Sequence, residues 1–324
     1  MRRCLLAMSA LAFIHASAAQ EKAPPPTRDV EECRKLEGMP GELECYRGLP
    51  RAPRAGFISD EWWLDHRNIP STRLVPYRPD YVVVRATDTV NQQPARVAQP
   101  QEFDALELKM QLSLRGEAVS PGQLERWGGG RLRLWYAYTQ QSNWQVLNTD
   151  QSRPFRDTNY EPEMILTYDA REKRAEEAPV SARPALVNFG IVHQSNGRSD
   201  PESRTWWRTY LQGGWQTAAG SLVARIWRTW RESGMEADNP DINDYVGRAD
   251  LTFRTRNSPQ WGGVNLLLRS NLRSSPHRGF LQLDWRLPWR VPVHLQVTSG
   301  YGESLLDYDH KQTTFGVGFS FWDW

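Results

Sequence analysis

Apolar and polar residues alternate along one segment after another of this chain. Between residues 106 and 114, leucine and methionine occupy every even position, while polar or charged residues fill the odd positions. The same period of two recurs in 132–138, 281–286 and 293–297. Because successive side chains of a β-strand point to opposite faces, this alternation predicts strands with one apolar and one polar face.

A soluble β-sandwich also alternates, so the pattern alone leaves two fold classes open. Two further features favour a transmembrane barrel. The apolar faces are continuous, while the polar faces carry charges that a barrel interior tolerates: Glu107, Lys109, Arg131, Arg133, Asp284 and Arg286. The chain also ends on an alternating segment whose last residue is the aromatic Trp324.

The spacing of these segments predicts the size of the barrel. At about 9–11 residues per spanning strand plus connections, the part after residue 80 holds about 10–14 strands, and bacterial barrels have an even number. The fold class is therefore all-β, a transmembrane antiparallel β-barrel, and 78–324 is its predicted range.

The N-terminal region has a different composition. Residues 1–19 combine two arginines, an apolar run and a small-residue ending, which predicts a secretory signal peptide. Residues 20–77 are proline-rich and irregular, which predicts an N-terminal periplasmic extension. Within it, Cys33 and Cys45 are close in sequence, so we expect a disulfide, with two unpaired thiols as the alternative.

Composition adds three points. The formal net charge is +2, which disfavours a nucleic-acid-binding protein. Only five of the 40 cationic residues are lysines; arginine suits contacts with lipid phosphate groups, although a GC-rich genome gives the same bias. The 15 tryptophans fit a membrane protein, since Trp and Tyr gather at membrane interfaces.

The segment 186–195 carries candidate chemistry. His193 and Ser195 are two residues apart on a predicted strand, so their side chains share one face with Phe189 and Ile191. In a soluble protein that face would be core, and the pair would be a satisfied hydrogen bond. On a barrel the face meets lipid, where a polar pair calls for a functional explanation, such as a general base beside a nucleophile.

Four longer strings are more specific than this spacing. They are YAYTQQSNWQ from Tyr136, SRPFRDTNYEP from Ser152, HQSNGRSDPESRTW from His193 with DNPDINDYVG from Asp238, and GYGESLLDYDHKQTTFGVG from Gly300. With these strings the chain resembles outer-membrane phospholipase A of Gram-negative bacteria. The resemblance implies a 12-stranded barrel with its active site on the outer wall, and a homodimer that forms in a calcium-dependent manner. It does not extend before about Trp62.

The resemblance also implies residue roles. Ser195 would be the nucleophile and His193 the base, with a backbone N–H near Gly197 helping to stabilise the oxyanion. Gln140 would lie in the dimer interface. The implied Ca²⁺ ligands are the Arg198 carbonyl, Ser203, Asp238 and, from the partner subunit, Ser152.

The chain departs from the family pattern at Trp207, where the family has a third catalytic residue, asparagine. Tryptophan has no carbonyl acceptor and cannot orient the imidazole as asparagine does, so we expect weakened activity. Thr205, Thr209 or a water are candidates to replace it. We expect Trp207→Asn to raise activity unless another group has already taken over that role.

These observations predict a calcium-dependent phospholipase of the bacterial outer membrane. It would hydrolyse acyl ester bonds of phospholipids, with A1, A2 and lysophospholipase specificity, and dimerisation would activate it. The alternatives are a catalytically weak or inactive structural barrel, suggested by Trp207, and a narrow pore. Mixed charges on the interior faces disfavour the pore, because they can pair across a small lumen.

Overall fold

The computed structural model describes residues 57–66, 73–94, 97, 99–125, 131–171, 183–230 and 238–321, all within the unit Arg54–Trp324. The predicted signal peptide, Cys33, Cys45 and the terminal Trp324 lie outside this range. In the part described, no helix is long and apolar enough to cross a membrane.

Strands dominate the described residues, and from β2 onward each pairs with the next in antiparallel register. They are β1 (Leu74–Pro76), β2 (Tyr81–Thr87), β3 (Leu106–Val119), β4 (Leu132–Trp144), β5 (Phe155–Asp169), β6 (Leu186–Ser195), β7 (Thr205–Gln216), β8 (Gly220–Trp230), β9 (Ala249–Thr255), β10 (Gly263–Ser270), β11 (Gly279–Arg286), β12 (Val293–Tyr301) and β13 (Lys311–Ser320). The described residues also form three short helices: α1 (Phe57–Trp62) before β1, α2 (Pro121–Leu124) after β3 and α3 (Ile242–Tyr245) between β8 and β9.

Twelve of these strands, β2 to β13, form a closed barrel. The last strand, β13, pairs with β2, and β2 pairs with β3, which closes the sheet. The predicted transmembrane antiparallel barrel with 12 strands is confirmed.

The thirteenth strand, β1, pairs with β3, the strand that β2 also pairs with. Leu74–Pro76 pairs with the end of β3 that β2 leaves uncovered. Between them, the Tyr77 N–H donates to the Ser113 carbonyl at 3.0 Å and the Asp80 carboxylate accepts from the Ser113 N–H. The prediction of irregular structure up to residue 77 missed this strand because prolines interrupt the alternation there. The domain boundary at residue 78 stays a prediction.

The alternation of the sequence matches the two faces of the wall. Lys109 is 1% exposed in the interior, while Leu112, on the outer face of the same strand, is 48% exposed. One charge was misplaced: Arg131 is exposed in the turn before β4 and does not face the interior. Two residues further on, Arg133 does point inward, where it pairs with Glu117 at 3.1 Å.

Helix α1 packs inside the end of the barrel opposite the His193 end of β6. Ile58 is fully buried, and its N–H donates to Gln216 Oε1 at 3.0 Å. Glu61 pairs with Arg254 at 2.7 Å, and the guanidinium of Arg115 lies 4.3 Å from the ring of Trp62. Gly214 leaves room for the Ile58 side chain, since a Cβ at position 214 would lie 2.6 Å from Ile58 Cδ1.

Ion pairs fill much of the remaining interior. Arg156 bonds to both Glu107 and Asp307, and Lys109 lies 2.6 Å from Glu303, in the connection after β12. In the described part a cavity of about 180 Å³ remains between charged side chains. The expected mixed-charge pairing across the lumen is therefore present.

Candidate active site

His193 and Ser195 lie at one end of β6 on the outer face of the barrel. The inward-facing residues of this strand, Asn188 and Val192, are buried, whereas Phe189 is 49% exposed. His193 and Ser195 share the parity of Phe189 and are partly exposed. His193 and Ser195 therefore lie on the outer face of the barrel, as their spacing predicted.

Neighbouring strands complete the surroundings of the pair. Ser195 lies directly opposite Thr205 on β7 and Tyr160 on β5. His193 lies opposite Trp207. Directly opposed residues of an antiparallel sheet have Cβ atoms about 4.5–5.5 Å apart, so these five side chains form one patch on the outer wall.

Two β7 residues contact the imidazole. His193 Nε2 is 2.9 Å from Thr205 Oγ1, a hydrogen-bond distance. The ring centroids of His193 and Trp207 are 4.5 Å apart at an interplanar angle of 35°. Of the two threonines considered from sequence, Thr205 meets the ring, while Thr209 accepts from Trp230 Nε1 at 3.2 Å.

The connection from β6 to β7 is folded around Asn196. Its side chain accepts from the Arg204 N–H at 2.9 Å and donates to the Glu202 carbonyl at 2.8 Å. The following Gly197 has φ +65°, and a Cβ there would lie 3.1 Å from the Tyr160 ring. Glycine adopts this backbone conformation at little steric cost, which explains the Asn-Gly pair in the motif.

The side chain of Arg198 ties this connection to β5. Its Nη2 donates to the carbonyls of Phe155 and Arg156 at 2.7 and 2.8 Å. Its Nη1 bonds to Glu202 within the same connection. The Arg198 carbonyl, a predicted Ca²⁺ ligand, therefore lies on a connection that these hydrogen bonds hold against β5.

Ser203 and Asp238, two predicted Ca²⁺ ligands from separate connections, meet in the structure. Ser203 Oγ donates to Asp238 Oδ2 at 2.5 Å. The adjacent Asn239 accepts from the Thr205 N–H at 2.9 Å, so the segment after β8 fixes the start of β7 as well. Asn239 stands in the DNPDINDYVG string, but only its acidic neighbour was singled out from sequence.

The donor chemistry of these groups fits calcium. Ca²⁺ takes oxygen ligands, chiefly carboxylates, carbonyls and waters, and the carboxylate, hydroxyls and backbone carbonyl here all offer oxygen atoms. Within the described ranges no cluster of three or more His, Cys, Asp or Glu side chains is suited to a metal, so a site here would depend on the hydroxyl and carbonyl donors. The remaining predicted ligand, Ser152, lies in the β4–β5 connection with φ +58°.

An apolar cluster inside the barrel supports the wall behind the site. It joins inward side chains of the site strands to residues of the connections at the same end: Val192, Trp206, Tyr210, Trp227, Ile242, Val246, Leu305 and Tyr308. The Tyr308 hydroxyl donates to Asp241 at 2.7 Å. Burial and this hydrogen bond raise the pKa of Tyr308 well above its ordinary value, so the phenol stays protonated and remains a donor.

Gln140, the predicted interface residue, lies on β4 opposite the exposed Leu112. Its side chain accepts from the Tyr138 hydroxyl at 2.8 Å and donates to Ser142 at 3.3 Å. These three polar side chains therefore form a hydrogen-bonded row on the outer face of β4.

Sequence comparisons agree with this description. The sequence profile of phospholipase A1 matches residues 59–321. Phospholipase A1 of Escherichia coli K12 is 34% identical over 253 residues, 76% of this chain and 80% of the relative. A putative phospholipase A1 of Neisseria meningitidis serogroup B is 37% identical over 199 residues, 60% of this chain and 50% of that relative.

Solved structures with the same barrel lead to the same family. Outer membrane phospholipase A from E. coli has a TM-score of 0.63 at 32% identity, covering 77% of this chain and 98% of that one. A calcium-bound dimer of the Salmonella typhi outer membrane phospholipase has a TM-score of 0.67 at 29% identity, covering 83% and 99%. An E. coli active-site mutant with asparagine replaced by alanine is also similar, with a TM-score of 0.65 at 30% identity and coverage of 84% and 99%. With a profile match over most of its length and the barrel of these enzymes, the chain belongs to the phospholipase A1 family.

Proposed function

We propose that this protein is a calcium-dependent phospholipase that hydrolyses acyl ester bonds of phospholipids, with Ser195 as nucleophile and His193 as base. As a family member with a closed antiparallel barrel, it is a protein of the outer membrane. The observation that carries the proposed mechanism is the His193–Ser195 pair on the lipid-facing side of β6.

The proposed reaction has two halves. Ser195 Oγ attacks the acyl carbonyl while His193 takes the hydroxyl proton; the ester bond then breaks, and His193 returns the proton to the leaving alcohol. In the second half, His193 takes a proton from water, whose oxygen attacks the acyl-enzyme. Ser195 regains a proton as the fatty acid leaves.

The outward orientation suits a substrate that stays in the membrane. Exposed apolar side chains, including Phe189 and Leu211, flank the pair on the same outer face. An acyl chain can lie against them while its ester group reaches Ser195 at the level of the interface. The same arrangement of Ser195 and the acyl ester would serve for glycerophospholipids and for lysophospholipids.

Calcium would bind at the connections above this pair. Arg198 through its carbonyl, Ser203 and Asp238 would hold the ion, and Ser152 of a second copy would complete the set. When bound, Ca²⁺ supplies positive charge that stabilises the oxyanion of the tetrahedral intermediate. The backbone N–H of Gly197 would contribute a hydrogen bond to the same oxygen.

A homodimer would regulate the site. A ligand supplied by a second copy leaves the monomer with an incomplete ion site, so dimerisation raises activity by mass action. The polar row around Gln140 on β4 is a suitable contact surface. Phospholipid that enters the outer leaflet would favour the dimer by bridging the two barrels.

Trp207 supports a second candidate, a structural barrel with little or no activity. It stands where the family has asparagine and offers the imidazole no carbonyl acceptor. A diffusion pore is disfavoured by a different observation: ion pairs and helix α1 fill the described interior, leaving a cavity of about 180 Å³.

The test is hydrolysis of a phospholipid in detergent micelles by the refolded full chain. Wild type and Ser195→Ala are compared with Ca²⁺ and with a chelator, and Ser299→Ala, on the outer face of β12, serves as the matched serine control. Turnover that needs both Ca²⁺ and Ser195 supports the proposal. A folded, dimeric protein without turnover would favour the structural barrel.

A further inference from the structure

The imidazole of His193 sits at one end of a row of aromatic rings on the outer wall. Trp207 lies against it at 4.5 Å, and Trp230 on β8 stacks on Trp207 at 6.2 Å with an interplanar angle of 22°. Trp230 is itself held by a hydrogen bond from its indole N–H to Thr209. The hydrogen bond between His193 Nε2 and Thr205 fixes the edge of the same imidazole.

We propose that Thr205 and Trp207 are the positioning residues of the catalytic base. Thr205 would aim the Nε2 edge of His193, and Trp207 would support the ring face and stabilise the imidazolium that forms during catalysis. The inference rests on the proposed function, in which His193 acts as base.

The strand register supports the role of Thr205. Thr205 is the direct cross-strand partner of Ser195, so a ring nitrogen bonded to Thr205 Oγ1 points at the row of the sheet that holds Ser195. A hydroxyl both donates and accepts, so Thr205 can stay bonded to the neutral ring and to the imidazolium. The Thr205 backbone is fixed in turn by Asn239.

The geometry of the rings supports the role of Trp207. The face of an indole carries negative potential and attracts a cation within about 6 Å of the ring centroid. The His193 ring lies within that distance, so its imidazolium form would gain this attraction. Trp207 would thereby replace, by a different physical effect, the support that a carbonyl acceptor gives to a base.

Other polar groups lie on the outer faces of the neighbouring strands and in the connection that follows β6. On β5 the Tyr160 phenol faces outward beside Ser195, and on β8 the outward-facing Arg228 lies opposite Thr209. Arg198 belongs to the connection that follows β6. A cation such as Arg228 or Arg198 opposes protonation of His193, so the contribution of Trp207 must be measured as a difference between variants.

The first measurement is the pKa of His193 by NMR in micelles, using histidine-labelled full-length protein with His193→Gln to assign the signal. Trp207→Leu removes the aromatic face and keeps bulk, so we expect the pKa to fall by about half a unit. Trp207→Phe keeps an aromatic face, so it should retain most of the contribution of Trp207 to the His193 pKa. Trp285→Leu, an outward tryptophan on β11, is the matched control and should leave the pKa unchanged.

The second measurement is the pH profile of hydrolysis. Thr205→Val should lower kcat about tenfold with little change in KM, as loss of one hydrogen bond to the base predicts, and Thr205→Ser should restore it to within about threefold. Thr313→Val removes an outward hydroxyl pair with Ser299 on the far side of the barrel and is the matched control. In Trp207→Leu the acid limb of the pH profile of kcat/KM should shift to lower pH together with the His193 pKa.

Three results would overturn the inference: an unchanged His193 pKa in Trp207→Leu, an unchanged kcat in Thr205→Val, or a Trp207→Asn variant faster than wild type. Failure of the proposed function is distinguishable, because it appears as the absence of hydrolysis by folded wild type or as hydrolysis that does not depend on Ser195. In that case the NMR titration still decides whether Trp207 stabilises the imidazolium.

Discussion

Lys109 and Glu303 form an ion pair inside the barrel, with the lysine Nζ 2.6 Å from a glutamate oxygen. Both side chains are almost wholly buried, and Arg85 bonds to the same carboxylate. The pair joins β3 to the connection after β12, a strand separated from β3 by β2 and β13 in the sheet. It links the packed interior to the end of the barrel that carries the candidate site.

Glu303→Gln should destabilise the barrel by about 3–5 kcal/mol, because two buried cations lose a shared carboxylate. Urea unfolding in lipid micelles, followed by tryptophan fluorescence, measures the effect. Asp60→Asn removes a carboxylate from an exposed pair with Arg256 and should change the unfolding free energy by less than about 1 kcal/mol. Equal effects of the two variants would show that the interior network contributes little to stability.

Gly197→Ala should reduce hydrolysis at least about tenfold while the barrel stays folded. A Cβ at this position meets the Tyr160 ring at 3.1 Å and alanine must adopt φ +65°, so the connection that carries the proposed Ca²⁺ and oxyanion groups has to shift. Adding Tyr160→Ala removes the steric contact but keeps the backbone strain, so partial recovery is expected. Wild-type activity in the single variant would show that the site does not require glycine at this position.

Asp238→Asn should raise the Ca²⁺ concentration for half-maximal activity by at least about tenfold, since the anionic member of the oxygen set becomes neutral. Titration of hydrolysis with Ca²⁺ measures the shift, and activity at saturating Ca²⁺ should be largely restored. Asp88→Asn is the control: Asp88 is a carboxylate in the β2–β3 connection that accepts from the Thr313 N–H. An identical Ca²⁺ dependence in wild type and Asp238→Asn would place the ion elsewhere.

Stability should depend on pH through Asp309, in the connection between β12 and β13. Burial raises the pKa of this carboxyl, and the charge of Asp241 adds to the effect. A folded-state pKa above the unfolded value means that the contribution to stability is present at low pH. It is lost as pH rises from the unfolded pKa, near 3.8, through the folded one.

Over that interval the free energy of unfolding of wild type should therefore fall relative to that of Asp309→Asn. Urea unfolding at a series of pH values measures both slopes. Parallel slopes for the two proteins would show that Asp309 ionises alike in the folded and unfolded chains.

The barrel and its two faces could be predicted from the sequence because alternation with a period of two is a local property of the chain. Leu112 faces lipid and Lys109 faces the interior for the same reason that His193 and Ser195 share an outer face: each strand orients its own side chains. The motif strings gave the family in the same way, since their residues are contiguous.

Other features were decided only when the strands were brought together. The contact of Thr205, and not Thr209, with His193 follows from the register of β7 on β6, which depends on the whole closed sheet. The meeting of Ser203 with Asp238 and the insertion of helix α1 join segments that are distant along the chain. Sequence alone determined which residues face lipid and which family the chain resembles; the tertiary structure decided the partners of those residues, because register and long-range packing are properties of the assembled barrel.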